Sequence, residues 1–459
     1  MSSSNIYRQY DIRGIVDQEI NDDIMFDIAR AFAGYARQHG YKKVLLGHDN
    51  RVSSPRYHDL MANALIQGGC EVINLGMVIT PMLYCASRFL EIGAGIMITA
   101  SHNPAEYNGC KLLLGESTIY GEQITEIRRL VEKGDFPSLP GGSVTSRDIT
   151  ADYLQMIANK IKLGPHKPKV VVDCGNGTAS PFAPKLFERL GCETIPLYCD
   201  SDPTFPHHHP DPVKPENLRD IIELVKQSQA DIGIGIDGDG DRLGVVDRDG
   251  NMIWGDQLMI LFWRDILPRY PHLPSIVEVK CSQSLIDEIK RLGGTPLLYK
   301  TGHSLIKAKM KETGAIFTGE MSGHMFFADD YYGYDDALYA AARLLLLLSN
   351  SDRTIGEMLS DTSKYYATPE MRIPCSDETK FQRVEQVLQH FKKDHEVIDI
   401  DGARIIFPHG WGLVRASNTG PEIICRCEGD SPQTLAEIKN TIFAYLDAID
   451  LKMEIPATS

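Results

Sequence analysis

Three aspartates, Asp237, Asp239 and Asp241, alternate with glycines where an apolar run ends in "DIGIGIDGDGDRLGVV". Carboxylates at every second position, with glycine freedom between them, can wrap one hard cation, and an all-oxygen set suits Mg2+ or Ca2+ better than zinc. Without a counterion, three carboxylates this close repel one another. An EF-hand is excluded, because its sixth position would be Arg242 instead of glycine and its twelfth Arg248 instead of glutamate. Arg242 beside the cation points to a phosphate neighbour. Gly233, Gly235 and Gly238 match a dinucleotide fingerprint in spacing only, since the third glycine opens an acidic loop instead of a helix. No P-loop motif occurs either, which leaves phosphate chemistry without a nucleotide.

A second reactive group is Ser101, in "GAGIMITASHNPAEYNGCKLLL". It follows an apolar strand, where α/β proteins place ligand sites, yet it lacks the Gly-x-Ser-x-Gly elbow of a serine hydrolase. Lys111 follows on the next apolar run. Near the C-terminus, "RASNTGPEI" gathers Arg415, Ser417, Asn418, Thr419 and the Gly420 amide into an anion-binding loop. Glu320 and Ser322 in "GEMSGH" offer an acceptor and a donor two residues apart, suited to vicinal sugar hydroxyls. "KTGHS" presents His303 on another strand-end loop. His207, His208 and His209 lie among prolines in an extended loop where neighbouring side chains point apart, so no metal site is expected there.

The elements that must position these loops follow a repeated grammar of strand, loop, helix, glycine break and second strand. It runs from "KKVLLGHDNR" to "GGCEVINLG", from "KPKVVVDCGNG" to "RLGCETIPLY", and from "SIVEVKCSQS" to "RLGGTPLLYK". Three related α/β domains with mixed, mainly parallel sheets follow, plus a smaller C-terminal α+β domain, each offering one loop at a strand end. The expected domains are 1–150 with the Ser101 loop, 151–253 with the aspartate loop, 254–365 with the sugar loop, and 366–459 with the anion loop. "ALYAAARLLLLL" reads as a buried helix capped by the aspartates before it, and Ser431-Pro432 as a helix start.

Composition narrows the function classes. The 459 residues are 43% hydrophobic and 24% charged, the balance of a soluble enzyme, and the net charge of −15 argues against nucleic acid or an anionic membrane surface as partner. The N-terminus has no signal-peptide core and no run is long enough to span a membrane, so a cytoplasmic location is expected. The ten cysteines are scattered, with Cys425 and Cys427 too close for Cys-x-x-Cys, and read as reduced thiols without assigned chemistry.

In this order, "TASHNP", "DGDGDR", "GEMSGH" and "RASNTGP" resemble the α-D-phosphohexomutase superfamily, over nearly the whole chain. "YDIRG" (Tyr10–Gly14) and "GHDNRVSS" (Gly47–Ser54) are similar to the family's N-terminal phosphate-site surroundings. The resemblance implies four domains arranged around one central cleft and an isomerase that interconverts hexose 1- and 6-phosphates through a phosphoserine at Ser101 and a hexose 1,6-bisphosphate. It implies Mg2+ held by Asp237, Asp239, Asp241 and a phosphoserine oxygen, with Arg242 neutralising the phosphate. Glucose 1,6-bisphosphate or mannose 1,6-bisphosphate would be the activator. Glu320, Ser322 and His324 would hold the sugar, and Arg415, Ser417, Asn418 and Thr419 the non-reacting phosphate. Lys111, His303 and Arg13 are its candidates for proton transfer or charge support, with Tyr10 and Lys280 lining the site. Met321, where glucosamine-type mutases more typically carry Gln, favours mannose and glucose substrates, with phosphoglucosamine mutase as the alternative. A non-catalytic sugar-phosphate binder or a Ca2+-binding structural protein would not need Ser101, the aspartates and Lys111 together. The partners expected are small hexose phosphates, and the chain is expected to be a monomer or a small homo-oligomer.

Overall fold

The run Ala94–Ile98, which leads into Ser101, is buried at every position, as a strand covered on both faces requires. A computed structural model describes residues 6–418 and 420–451. The chain forms two units, one of residues 1–255 with 322–358, the other of residues 256–321 with 359–459.

In the first unit, one sheet runs in the order Ile12–Ile15, Tyr107–Leu114, Ala94–Ile98, Lys43–His48, Glu71–Met77, Ser143–Ser146. Its last four strands are parallel, while Tyr107–Leu114 is antiparallel to both neighbours. That reversal brings Lys111 back beside Met97, near the end of the strand that leads to the serine loop. A second sheet sets Glu193–Leu197, Lys169–Asp173 and Ile232–Ile236 in parallel. Leu243–Asp247 returns antiparallel to Ile232–Ile236, so the aspartate loop is the turn of a hairpin closed by the pair Ile236 and Leu243.

The helix Ala337–Ser349 is capped by Asp336, whose carboxylate accepts from Tyr339 N at 2.9 Å. Most of its side chains are buried, as a helix apolar all round must be. Tyr153 and Tyr331 also donate to Asp336 at 2.7–2.9 Å; burial nevertheless lifts this carboxyl to about 6.

In the second unit, Pro274–Glu278 and Thr295–Tyr299 are parallel, the same motif as in the second sheet. The equivalence seen in the sequence is physical: Gly191 and Gly293 each follow a helix end with φ of +95° and +80° and turn the chain into the second strand. The C-terminal sheet is wholly antiparallel, ordered Tyr366–Ala367, Glu422–Gly429, Gly410–Ala416, Ala403–Phe407, Glu396–Ile398, with Met371–Pro374 also on Glu422–Gly429. Helices Lys380–Phe391 and Pro432–Ala448 bury their apolar faces in its core. Ser431 caps the latter through Thr434 N at 3.1 Å. Among the described residues no helix is long and apolar enough to cross a membrane.

Candidate active site

Ser101 adopts φ of +51°, a left-handed conformation unusual for a residue with a side chain, and is 2% exposed. Arg51 holds this loop. Its guanidinium donates to the carbonyls of Ser101 (2.8 Å), Asn103 (2.6 Å), Pro104 (2.6 Å) and Tyr107 (3.0 Å), and its Nε to Asp49 (3.1 Å). One buried side chain therefore ties together four main-chain acceptors of the loop, of which the Pro104 carbonyl also accepts from Tyr107 N at 3.0 Å. The Ser101 amide donates to Thr99 Oγ1 at 2.9 Å.

The Ser101 hydroxyl donates to Asp237 Oδ2 at 2.8 Å and lies 3.1 Å from His102 Nδ1. Burial, then Arg242 and Arg13, push His102 well below its ordinary value, so its ring is neutral. The aspartate loop is wound around Asp237, whose Oδ1 accepts from the amides of Asp241 (3.0 Å) and Arg242 (3.1 Å). Gly238 is required by contact: a Cβ there would lie 2.2 Å from the Ser101 carbonyl oxygen.

All three aspartates are fully buried, with one oxygen from each within 4.8 Å of the others. Lys111 Nζ donates to Asp239 Oδ2 at 2.7 Å and to Asp241 Oδ2 at 2.5 Å, and Thr80 Oγ1 donates to Asp239 Oδ2 at 2.5 Å. Lys111 faces Asp239 and Asp241 directly and Arg242 acts on Asp237 from nearby, and among the described residues the Oδ1 atoms of Asp239 and Asp241 are buried without a hydrogen-bond partner. Burial and the two neighbouring carboxylates push Asp237 well above the carboxylate range. Orphaned buried oxygens and mutually repelling carboxylates fit a divalent oxygen-seeking cation.

Arg13 donates to Asn103 Oδ1 at 2.5 Å and pairs with Asp11, while its Nε is buried without a hydrogen-bond partner among the described residues. Arg242 Nε faces His324 Nε2 at 3.0 Å, and His324 Nδ1 lies 3.0 Å from Asp335. Tyr10 is half-buried and close enough to act electrostatically on Arg242. The first unit thus brings together Tyr10, Arg13, Ser101, Lys111, the aspartates, Arg242 and His324, and places half-buried Ser322 two residues before His324.

In the second unit, Lys280 lies between Glu370 (3.2 Å) and Glu278 (3.6 Å). Burial opposes its charge, but the two glutamates outweigh burial and hold it above its ordinary value, while Lys280 chiefly holds Glu370 at about 2. Buried His303 starts a helix after Gly302, whose φ of +133° suits glycine and whose amide donates to Glu320 Oε1 at 2.8 Å. That bond joins the loop before His303 to the "GEMSGH" loop. Arg415, 2% exposed, donates to Asp401 at 3.0 and 3.4 Å. Ser417 Oγ accepts from Gly420 N at 3.1 Å, and Lys380 Nζ donates to the carbonyls of Ser417 (2.6 Å) and Gly420 (2.9 Å). Asn418 is half-buried, and Thr419 lies outside the described residues.

Thr80, Asp335, Asp401 and Lys380 escape the sequence reading, because each meets its partner only through the fold. Arg51 and Asp49 do stand inside "GHDNRVSS". Two histidines of the triplet have local partners: His207 stacks on Tyr198 with ring centroids 3.8 Å apart, and His208 Nε2 pairs with Asp173 at 3.0 Å.

Comparison with known proteins agrees over the full length. Residues 4–138, 151–250 and 254–366 match domains I, II and III of phosphoglucomutase/phosphomannomutase, and 370–444 match its C-terminal domain. The chain is 44% identical over 455 residues to a phosphomannomutase/phosphoglucomutase of Pseudomonas aeruginosa, covering 99% of this chain and 98% of that one. It is also 44% identical over 449 residues to a phosphoglucomutase of Neisseria meningitidis, covering 97% of each. A crystal structure of a phosphoglucomutase/phosphomannomutase family protein from Burkholderia thailandensis superposes with a TM-score of 0.92 at 39% identity, covering 99% of this chain and 100% of that one. With four consecutive domain matches and relatives this similar along their whole length, the chain belongs to the phosphoglucomutase/phosphomannomutase family of α-D-phosphohexomutases.

Proposed function

We propose that this chain is a phosphohexomutase that interconverts the 1- and 6-phosphates of mannose and glucose in the cytoplasm, by way of a phosphoserine at Ser101 and a hexose 1,6-bisphosphate. The observation that supports the reading is the Ser101 hydroxyl, held on strained backbone 2.8 Å from Asp237, beside Asp239 and Asp241, each with a buried oxygen that lacks a hydrogen-bond partner among the described residues.

In the first half of the cycle the bond from Ser101 Oγ to phosphorus breaks as a sugar hydroxyl forms its own bond to that phosphorus. The hydroxyl proton leaves to a base, for which His303 is the candidate, because Asp239 and Asp241 hold Lys111 as an ammonium and the Arg13 guanidinium stays protonated. In the second half the other phosphate returns to Ser101. Arg51 keeps the serine loop in place, and Lys111, Arg13 and Arg242 supply fixed positive charge for the transferring group, the main requirement of phosphoryl transfer. Arg13 Nε, a buried donor without a partner among the described residues, suits a phosphate oxygen. Asp237, Asp239 and Asp241 would hold Mg2+, which neutralises charge on the phosphoryl oxygens when bound. Glu320, Ser322 and His324 read the sugar hydroxyls, Tyr10 and Lys280 line the site, and Arg415, Ser417, Asn418 and Thr419 hold the phosphate that is not reacting.

The test is turnover of mannose 1-phosphate, glucose 1-phosphate and glucosamine 1-phosphate with Mg2+ and a trace of glucose 1,6-bisphosphate. The first two should be converted and the third poorly. Ser101→Ala should lose nearly all turnover while still binding sugar phosphate, and mass spectrometry of the wild type should find phosphate on the Ser101 peptide. Wild-type turnover by Ser101→Ala would refute the mechanism.

A further inference from the structure

Cys174 directly follows the strand Lys169–Asp173, and Cys199 stands two residues past its parallel neighbour Glu193–Leu197. The last paired rung joins Asp173 to Leu197, and the Cys174 amide continues the ladder to Leu197 O at 3.3 Å. This brings the two sulfurs within 3.5 Å of each other. Adjacent strands lie about 4.8 Å apart, inside the Cα separation of about 4.4–6.8 Å that a disulfide spans. The thiols differ in access: Cys174 is buried, whereas Cys199 and Cys375 alone among the ten cysteines are partly exposed.

We propose that Cys174 and Cys199 form a modification site, converted by a hydroperoxide into an intramolecular disulfide. Cys199, the accessible thiol, attacks the peroxide oxygen; the O–O bond breaks, the alcohol or water leaves, and Cys199 becomes a sulfenic acid. The Cys174 sulfur then displaces water from it, and the S–S bond forms. The peroxide accepts two electrons, both from sulfur, and no other reductant is needed. Burial of Cys174 beside a partly exposed Cys199 fits a resolving role for Cys174 rather than first attack.

The site lies behind the aspartate loop. Thr178 N donates to Gly238 O at 3.1 Å, and Asn50 donates to Asn176 O (2.8 Å), to Thr178 Oγ1 (3.1 Å) and to Ser201 Oγ (3.0 Å). A disulfide therefore ties together the starts of two loops that share Asn50, one of which supports Gly238.

The experiment treats the folded full-length protein with hydrogen peroxide, blocks free thiols, and analyses digests by mass spectrometry without reduction. The expected result is a Cys174–Cys199 cross-linked peptide two hydrogens lighter than the sum of its parts, with two of the ten thiols lost and restored by dithiothreitol. Cys199→Ser should keep untreated turnover and form no cross-link. Cys174→Ser should leave Cys199 oxidised beyond the sulfenic acid. Full alkylation of Cys174 and Cys199 after Cys375 has already reacted would overturn the proposal, as would a cross-link that forms only in denaturant.

Discussion

Replacing Lys111 with methionine keeps most of the side-chain volume but removes the cation placed 2.7 Å from Asp239 and 2.5 Å from Asp241. At an effective dielectric of about 20, one such pair attracts by about 4 kcal/mol even at a separation of about 4 Å. Lys111 makes two closer ones, against a desolvation penalty of several kcal/mol per ion. Removing one partner of a buried pair typically costs about 3–5 kcal/mol, because the charges left behind are uncompensated. In a chelator, Lys111→Met should therefore melt lower, by on the order of 10 °C. A divalent cation can do part of the work of the lost ammonium, so Mg2+ should rescue the variant more than the wild type. At about 100 times its dissociation constant, the gain is about 2.7 kcal/mol. Differential scanning fluorimetry across a Mg2+ titration, with calorimetric binding alongside, measures both effects. Turnover should stay low even at saturating Mg2+, since the transferring phosphate loses a fixed charge. An unchanged melt in chelator, or a deficit that Mg2+ does not narrow, would refute the charge argument.

Arg415→Ala should lower kcat/KM by roughly 10- to 100-fold in both the 1-phosphate and 6-phosphate directions, the value of a charge-assisted phosphate contact; steady-state kinetics in each direction would expose a one-sided defect, which the shared-loop reading does not permit. Gly238→Ala should lose activity, because its Cβ would meet the Ser101 carbonyl oxygen at 2.2 Å, whereas Gly34→Ala, with nothing within 4 Å, should leave turnover unchanged. For Glu288, burial alone would raise the carboxyl, but hydrogen bonds from Arg291 and Arg264 hold it at about 2, below its ordinary 4.5. Its stabilisation is thus fully present above about pH 4.5 and is lost as pH falls toward 2, so the melting difference between wild type and Glu288→Gln should shrink over that window.

Juxtaposition was legible where it is local in sequence. Asp237, Asp239 and Asp241 sit in one turn, so their spacing alone predicted that their carboxylates cluster, and the glycines after Leu190 and Leu292 marked equivalent helix ends. The partners that set geometry were not legible, because register and crossover bring them in: Thr80 reaches Asp239 across 159 residues and Lys111 reaches it across 128. Nor does "RASNTGP" disclose that Arg415 is oriented by Asp401 and the loop propped by Lys380. Antiparallel Tyr107–Leu114, which places Lys111, looks in the sequence like any other apolar run.

The passage of the chain between its units bears on the order in which the protein can be made. Residues 322–358 belong with the N-terminal unit although 256–321 intervene. They supply His324 to Arg242 at 3.0 Å, the carbonyl of Gly323 to Leu243 N at 3.0 Å, and Ala337 N to Gly240 O at 3.2 Å. On the ribosome, every aspartate of the cage emerges well before the segment that buttresses it, the His324 partner trailing Arg242 by 82 residues. The cage is therefore a late product of synthesis, finished only after part of the second unit has been translated. A gene cut after residue 253 would encode the serine and all three carboxylates and still not yield a working half. Any exchange of parts between relatives must carry residues 322–358 along with the N-terminal segment they complete.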